Sequence, residues 1–181
     1  MINVMLMKES NSAEELSKKL GFSETWFLER EFVLVEGMNK KEIVKKIEEG
    51  KKKGLKAVVR AASEEILRWV LEKTAADMVY GAELINKKDS VHFCRGGLDQ
   101  VLCKIAAARG KIIGFSLQGL FDDASGKILG RMIFNMRLCE KYNVQTFIGN
   151  FSTEKREMRA AKELEAWEKV LKTRKKKIGL N

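Results

Sequence analysis

Six short apolar runs, each followed by a segment with helical spacing, constrain this chain more than any other feature. Residues 2–7 form the first run; Ser12 then stands as an N-cap for AEELSKKLGF, where Leu16 and Leu20 share a face and Gly21 is a stop. A second strand is expected over 27–35, and Asn39 caps KKEIVKKIEEGKKKG, whose Ile43, Val44 and Ile47 make a narrow apolar stripe under lysines. Residues 57–60 are a third strand, and Ser63-Glu64-Glu65 opens a helix with Ile66, Leu67, Val70 and Leu71 inward. A fourth strand over 76–80 leads through a long loop to a helix over 98–109, with Asp99 in its first turn, and to a fifth strand over 111–117. Ser125 starts the longest helix, with Met132, Met136 and Cys139 on one face; a sixth strand over 144–148 and a helix over 156–171 complete the pattern. The runs are apolar throughout instead of alternating, so both faces of their sheet must be covered. That is the condition of a parallel sheet dressed with helices.

Two architectures satisfy this α/β pattern. A doubly wound sheet advertises a phosphate loop after its first strand, and neither GxGxxG nor GxxxxGK[ST] occurs. A TIM-barrel-like (β/α) fold needs no such loop, although 181 residues fall short of the roughly 250 typical of eight units. The expectation is therefore a shortened or incomplete barrel, with residues 1–171 as one domain and 172–181 as a basic, disordered tail. No apolar run approaches the roughly 18 residues that a membrane span needs, which points to a cytoplasmic protein.

The net charge of +10 is unevenly placed. Residues 40–56 hold eight lysines against three glutamates, and the tail from Lys172 holds five basic residues and no acid. These two segments carry the whole excess, so a balanced body bears two basic surfaces, an arrangement suited to a phosphate backbone. A lysine-rich solvated helix face with a solubilising tail fits the same composition.

The strand ends, where a β/α barrel keeps its chemistry, offer Lys8, Glu9, Glu36, Arg60, Glu83, Ser116, Gln118 and Asn150. A metallohydrolase gathers several His and Asp there, and this chain has one histidine, His92, in a loop. Neither a catalytic residue nor a metal ligand is assigned. Cys94, Cys103 and Cys139 are widely spaced, odd in number and without a CxxC pair, and read as reduced core or near-surface thiols. Asp122-Asp123 reads as turn punctuation, and Trp26, Trp69 and Trp167 as core or interface residues. Basic residues are better placed. Arg95 precedes Gly96-Gly97, whose amides can face a phosphate at the next helix N-terminus or simply make a helix-entry turn, and Lys104, Arg109 and Lys111 follow.

The stretch from NKKD through GLDQVLCKIAAARGKIIGFSLQGLF, with ILGRMIFNMRLCEKYNV, TFIGNFS and EKREMRAAKELEAW, resembles protein component 3 of archaeal ribonuclease P. The blocks span roughly half the chain; the first half agrees in strand and helix order. The resemblance implies a barrel related to the PHP-type phosphoesterases that has lost its metal ligands. It implies a subunit that binds ribonuclease P RNA beside a small ferredoxin-like protein and supports removal of the 5′ leader from precursor tRNA. That tRNA is met indirectly, and no membrane is involved. The chemistry would belong to the RNA and its Mg²⁺, with no cofactor on the protein and no catalysis by the protein alone. Arg95, Lys104, Arg131, Arg159 and Lys162 match basic family positions and become candidate RNA contacts, and Lys87 and Lys88 join them from the preceding loop. Gln100 and Gln118 replace a family His and Arg, and TRKKKIGLN stands where a further strand is usual. Lys175 and Lys176 of that tail are therefore expected to take over lost RNA contacts. A stand-alone metal-dependent phosphoesterase of the barrel class and a purely structural, oligomerising barrel are the alternatives.

Overall fold

The computed structural model describes residues 1–85, 89, 94–121 and 126–172. Its strands are β1 (Ile2–Met5), β2 (Glu24–Phe27), β3 (Phe32–Val35), β4 (Lys56–Arg60), β5 (Met78–Tyr80), β6 (Ile112–Ser116) and β7 (Gln145–Gly149). The helices are α1 (Asn11–Lys19), α2 (Lys40–Lys52), α3 (Glu64–Lys73), α4 (Gln100–Ala108), α5 (Gln118–Phe121), α6 (Lys127–Lys141) and α7 (Ala161–Leu171). All strand pairs are parallel. Five strands lie side by side in chain order, β3-β4-β5-β6-β7, which is the sequential order of a barrel and not the reversed order of a doubly wound sheet.

The expected strand over 27–35 is in fact two. Glu29 turns the chain at φ 67°, the Phe27 amide donates to the Glu31 carboxylate at 2.7 Å, and β2 pairs with β1 while β3 opens the larger sheet. Single bridges, Met5 to Ser152 and Leu28 to Phe32, join the two sheets where a full ladder would close the ring. The fold is thus a shortened, unclosed barrel.

Both faces of each strand are buried, as the unbroken apolar runs require. Val35, Val59, Val79, Ile113 and Ile148 face outward into the layer of helices. Val4, Phe32, Val58, Met78, Tyr80 and Phe151 fill the bore, with Trp26, Ile112 and Phe147 packed against them. Phe151 adopts φ 49°, a conformation costly for an aromatic residue; its ring lies 4.4 Å from that of Tyr80 and edge-on to Phe147, which holds it. Burial pushes the Tyr80 hydroxyl up to about 12. The end of the bore where barrel enzymes keep their chemistry is therefore packed with aromatic rings.

Helix starts follow the short polar side chains. Asn39 and Ser63 accept from the amides of Lys41 and Ile66, as their positions suggest. The first cap is Ser10, not Ser12: its hydroxyl accepts from Ala13 N. Asp99 lies outside α4 as its cap, not in its first turn. The expected helix over 156–171 breaks at Met158 into a short 3₁₀ turn (Lys155–Glu157) and α7, because the Glu157 carboxylate takes the amides of Thr153 and Glu154. Gly126 precedes α6; Ser125, its expected start, lies outside the described residues, as do His92 and Asp122-Asp123.

Candidate nucleic-acid interface

Each helix returns antiparallel to the strand before it, so helix C-termini gather where the strands begin. The last turns there carry Lys18 and Lys19, Lys51 and Lys52, Lys73, and Lys141, and Arg109 caps α4. Cations at helix C-termini complement the helix dipole, and here they also make one end of the barrel basic. Some of them are in ion pairs, Lys18 with Glu14 and Lys51 with Asp77, and at the opposite end Lys8 pairs with Glu29 at 2.8 Å, Arg30 with Glu31 at 2.8 Å and Arg60 with Glu36 at 3.2 Å.

The residues singled out in the sequence fall mostly on this opposite end and its flank. Arg95 is exposed at the lip of a cleft between α3, α4 and α6 whose walls also hold Glu64, Glu65, Arg68 and Phe134. Lys104 is exposed on α4 with its ammonium 5.7 Å from the Tyr142 ring centroid; Lys141 approaches the same ring at 5.4 Å. The Tyr142 hydroxyl donates to Gln100 at 3.3 Å, linking the end of α6 to the first turn of α4. Asn150 takes the Arg159 amide at 2.9 Å and returns a bond to its carbonyl, leaving the exposed side chain on a fixed stretch of backbone, with Lys162 exposed three residues on. Lys87, Lys88, Lys175 and Lys176 lie outside the described residues.

The structure decides one open reading and corrects one expectation. The first concerns the Gly-Gly turn. Asp99 takes the amides of Val101 and Leu102, both at 2.8 Å, so its own carboxylate occupies the helix N-terminus, and of the two readings left open by the sequence the helix-entry turn is the one that fits. Gly97 sits at φ 84°, where an added Cβ would come within 2.2 Å of the Ala82 carbonyl oxygen, and Asn135 donates to the Gly96 carbonyl at 2.6 Å. The pair is a packing hinge.

The second concerns Arg131, which is 2% exposed and donates to Asp89 at 2.9 Å and to the Glu83 carbonyl at 3.1 Å. Its guanidinium is spent inside the fold, so Arg131 leaves the contact set. Lys111 is equally committed, its buried ammonium capping α3 through the Thr74 and Ala76 carbonyls at 2.8 and 2.6 Å. Sequence reading passed over Lys141 and Tyr142, and it gave no sign that Trp26, Lys56 and Arg109 line one cleft. The signal for the lysines was the repeated basic last turn of the helices.

Glu83, beside Arg131, is buried with both carboxylate oxygens lacking a hydrogen-bond partner among the described residues. Burial raises its carboxyl to about 7. A carboxyl raised in the folded state binds more protons there than in the unfolded chain, so stability is present at low pH and lost as pH rises through 7. Between about pH 5.5 and about pH 8 this costs about 2 kcal/mol. Glu83→Gln is expected to remove that slope in urea unfolding at the two pH values; parallel slopes for the two proteins would contradict it.

No group of three His, Cys, Asp or Glu side chains able to hold a metal occurs among the described residues. Cys103 and Cys139 are buried, and burial pushes the half-buried Cys94 thiol up, away from nucleophilic character. No helix is long and apolar enough to cross a membrane among the described residues.

No protein-family model matches the sequence, and no curated protein matches it. Among solved structures the fold is similar to a chain in a cryo-EM structure of archaeal ribonuclease P with mature tRNA. The TM-score is 0.78 at 18% identity, over 94% of this chain and 82% of that one. A crystal structure of an amidohydrolase matches with a TM-score of 0.50 at 9% identity, over 80% of this chain and 38% of that one.

Proposed function

We propose that this chain is a protein subunit of ribonuclease P that binds the catalytic RNA and supports removal of the 5′ leader from precursor tRNA. The observation that carries this reading is the fold match to a chain of archaeal ribonuclease P, which extends over nearly the whole molecule. The sequence blocks point the same way on separate grounds. The filled bore adds support, since it leaves the usual catalytic end of a barrel without open space between Tyr80, Phe147 and Phe151. In this reading Mg²⁺ is held by the RNA, and the protein works in the cytoplasm by displacing counterions from the RNA backbone. Arg95, Lys104, Arg159 and Lys162 are the contacts, with Lys87, Lys88, Lys175 and Lys176. The cleft beside Arg95 exposes Val101 and Phe134, apolar surface suited to a protein neighbour; a small ferredoxin-like subunit is the partner the family resemblance implies.

The test is precursor-tRNA cleavage by ribonuclease P RNA at modest Mg²⁺, with and without this protein and a ferredoxin-like partner. Stimulation only with the RNA present is expected. Cleavage by the protein alone, abolished by EDTA, would replace this reading with that of a barrel phosphoesterase. Arg95→Ala with Lys104→Ala is expected to weaken RNA binding and to make the slope of log affinity against log salt shallower by about 1–2, with little change in melting temperature. An unchanged slope would remove both residues from the contact set.

A further inference from the structure

We infer that the end of the barrel where the strands begin holds a nucleotide site, a slot for one base with two cations placed for its phosphate. A cleft of about 250 Å³ opens there into the bore. Its inner wall is apolar, built from Val58, Met78 and Ile112, and the Trp26 ring forms one side. That volume, near the lower limit of about 300 Å³ for small-molecule pockets, suits a single aromatic heterocycle.

The ring is fixed before any ligand arrives. The Trp26 indole N–H donates to the Glu24 carboxylate, and the ring lies parallel to Phe147, with centroids 6.1 Å apart and planes inclined by 4°. A ring already held in place loses little freedom on stacking, which is what a base platform needs. Over it stands the Lys56 ammonium, 5.1 Å from the centroid. The lysine stem is flexible, so a base can displace the ammonium from the ring while the charge stays close enough to meet a phosphate.

The charges at this mouth decide the ligand's class. Asp77 is committed to Lys51 and to the Ala57 amide, at 2.6 Å in each case, and Glu24 to the indole. Lys111 is spent on backbone carbonyls. Lys56 and Arg109 remain, both lining the cleft and neither in an ion pair among the described residues. Two uncompensated cations beside an aromatic wall and an apolar floor match a base carrying a phosphate. An acidic peptide would satisfy the cations and leave the slot unused. The site lies at the opposite end of the bore from the chemistry of barrel enzymes. That the nucleotide belongs to an RNA strand rests on the RNA-binding role proposed above; the site itself does not.

The test uses the full chain with Trp69→Phe and Trp167→Phe, so that Trp26 is the only indole. Single-stranded oligoadenylate is expected to change Trp26 fluorescence saturably, and Lys56→Gln with Arg109→Gln to weaken the affinity at least about fivefold. Adenosine monophosphate matching the oligonucleotide would support the site and make its ligand a free nucleotide; a much weaker monophosphate would support an RNA strand. No change in fluorescence with either ligand, or unaltered affinity in the double variant, would overturn the inference. Stimulation of ribonuclease P RNA without a Trp26 response would overturn the site and leave the subunit role. A Trp26 response without stimulation would do the reverse.

Discussion

Gly97→Ala is expected to lower the stability of the folded chain by about 2–5 kcal/mol. Two costs add at this position. The backbone stands at φ 84°, where an L side chain costs roughly 1–2 kcal/mol. The new Cβ would also lie 2.2 Å from the Ala82 carbonyl oxygen, a main-chain atom that cannot rotate away. Forcing that contact apart displaces the 3₁₀ turn Ala82–Leu84 or the entry to α4, an overpacking cost of about 1–3 kcal/mol. Gly110→Ala is the control. It shares the positive φ, at 61°, but its Cβ would meet nothing within 4 Å, so only the strain of about 1–2 kcal/mol is expected. Chemical unfolding of both variants separates the terms; equal losses would show that the contact with Ala82 contributes nothing.

The turn so constrained is one of the places where sequence reasoning chose between two readings without the means to decide. Gly96-Gly97 before a helix fits a phosphate cradle and a packing hinge equally well, because glycine signals a backbone freedom and not its use. The deciding contacts come from Ala82 and Asn135, both distant in sequence. The strands were legible for the opposite reason. Burial on two faces writes itself into every residue of Val58-Val59 or Met78-Val79-Tyr80, and no partner need be known. The break between β2 and β3 was hidden because Leu28-Glu29-Arg30-Glu31 interrupts the run with few turn-forming residues. What turns the chain is the Glu31 carboxylate on Phe27 and the ion pairs of Glu29 and Arg30 with Lys8 and Glu9, contacts between segments.

Basic residues divide along the same line. Net charge located the excess, but the order of residues along the chain does not reveal that helix C-termini collect at one end of a barrel. Lys51, Lys73, Arg109 and Lys141 are far apart in sequence and share that end. Lys104 and Tyr142 meet across α4 and α6 for a similar reason. Arg131 was legible in principle. It is one helical step from Met132 and four from Asn135, on the edge of the stripe that runs through Met136 and Cys139 into the core. A basic residue on such a stripe is a candidate for an internal partner before it is one for RNA.

Arg131→Met follows from that assignment, with an expected loss of about 1–3 kcal/mol from the Glu83 carbonyl left buried without that donor. Met supplies comparable apolar bulk, so the packing of the arginine stem is largely kept and the loss isolates the guanidinium. Two groups depend on it. Asp89 accepts from Arg131 Nε at 2.9 Å and from the Arg95 amide at 2.8 Å, and these bonds hold its carboxyl below the usual carboxylate range. The Glu83 carbonyl accepts from Nη1, and the buried Glu83 carboxyl stands on the same turn. Without the arginine, Asp89 loses its charged partner and the Glu83 carbonyl is buried without that donor. For a chain of this length such a loss lowers the melting temperature by roughly 2–12 °C. The discriminating measurement is RNA affinity well below the melting temperature, across two salt concentrations. A structural Arg131 predicts that the folded variant keeps its affinity and its salt slope, whereas a phosphate contact predicts the reverse: a near-normal melting temperature with a slope shallower by about 1.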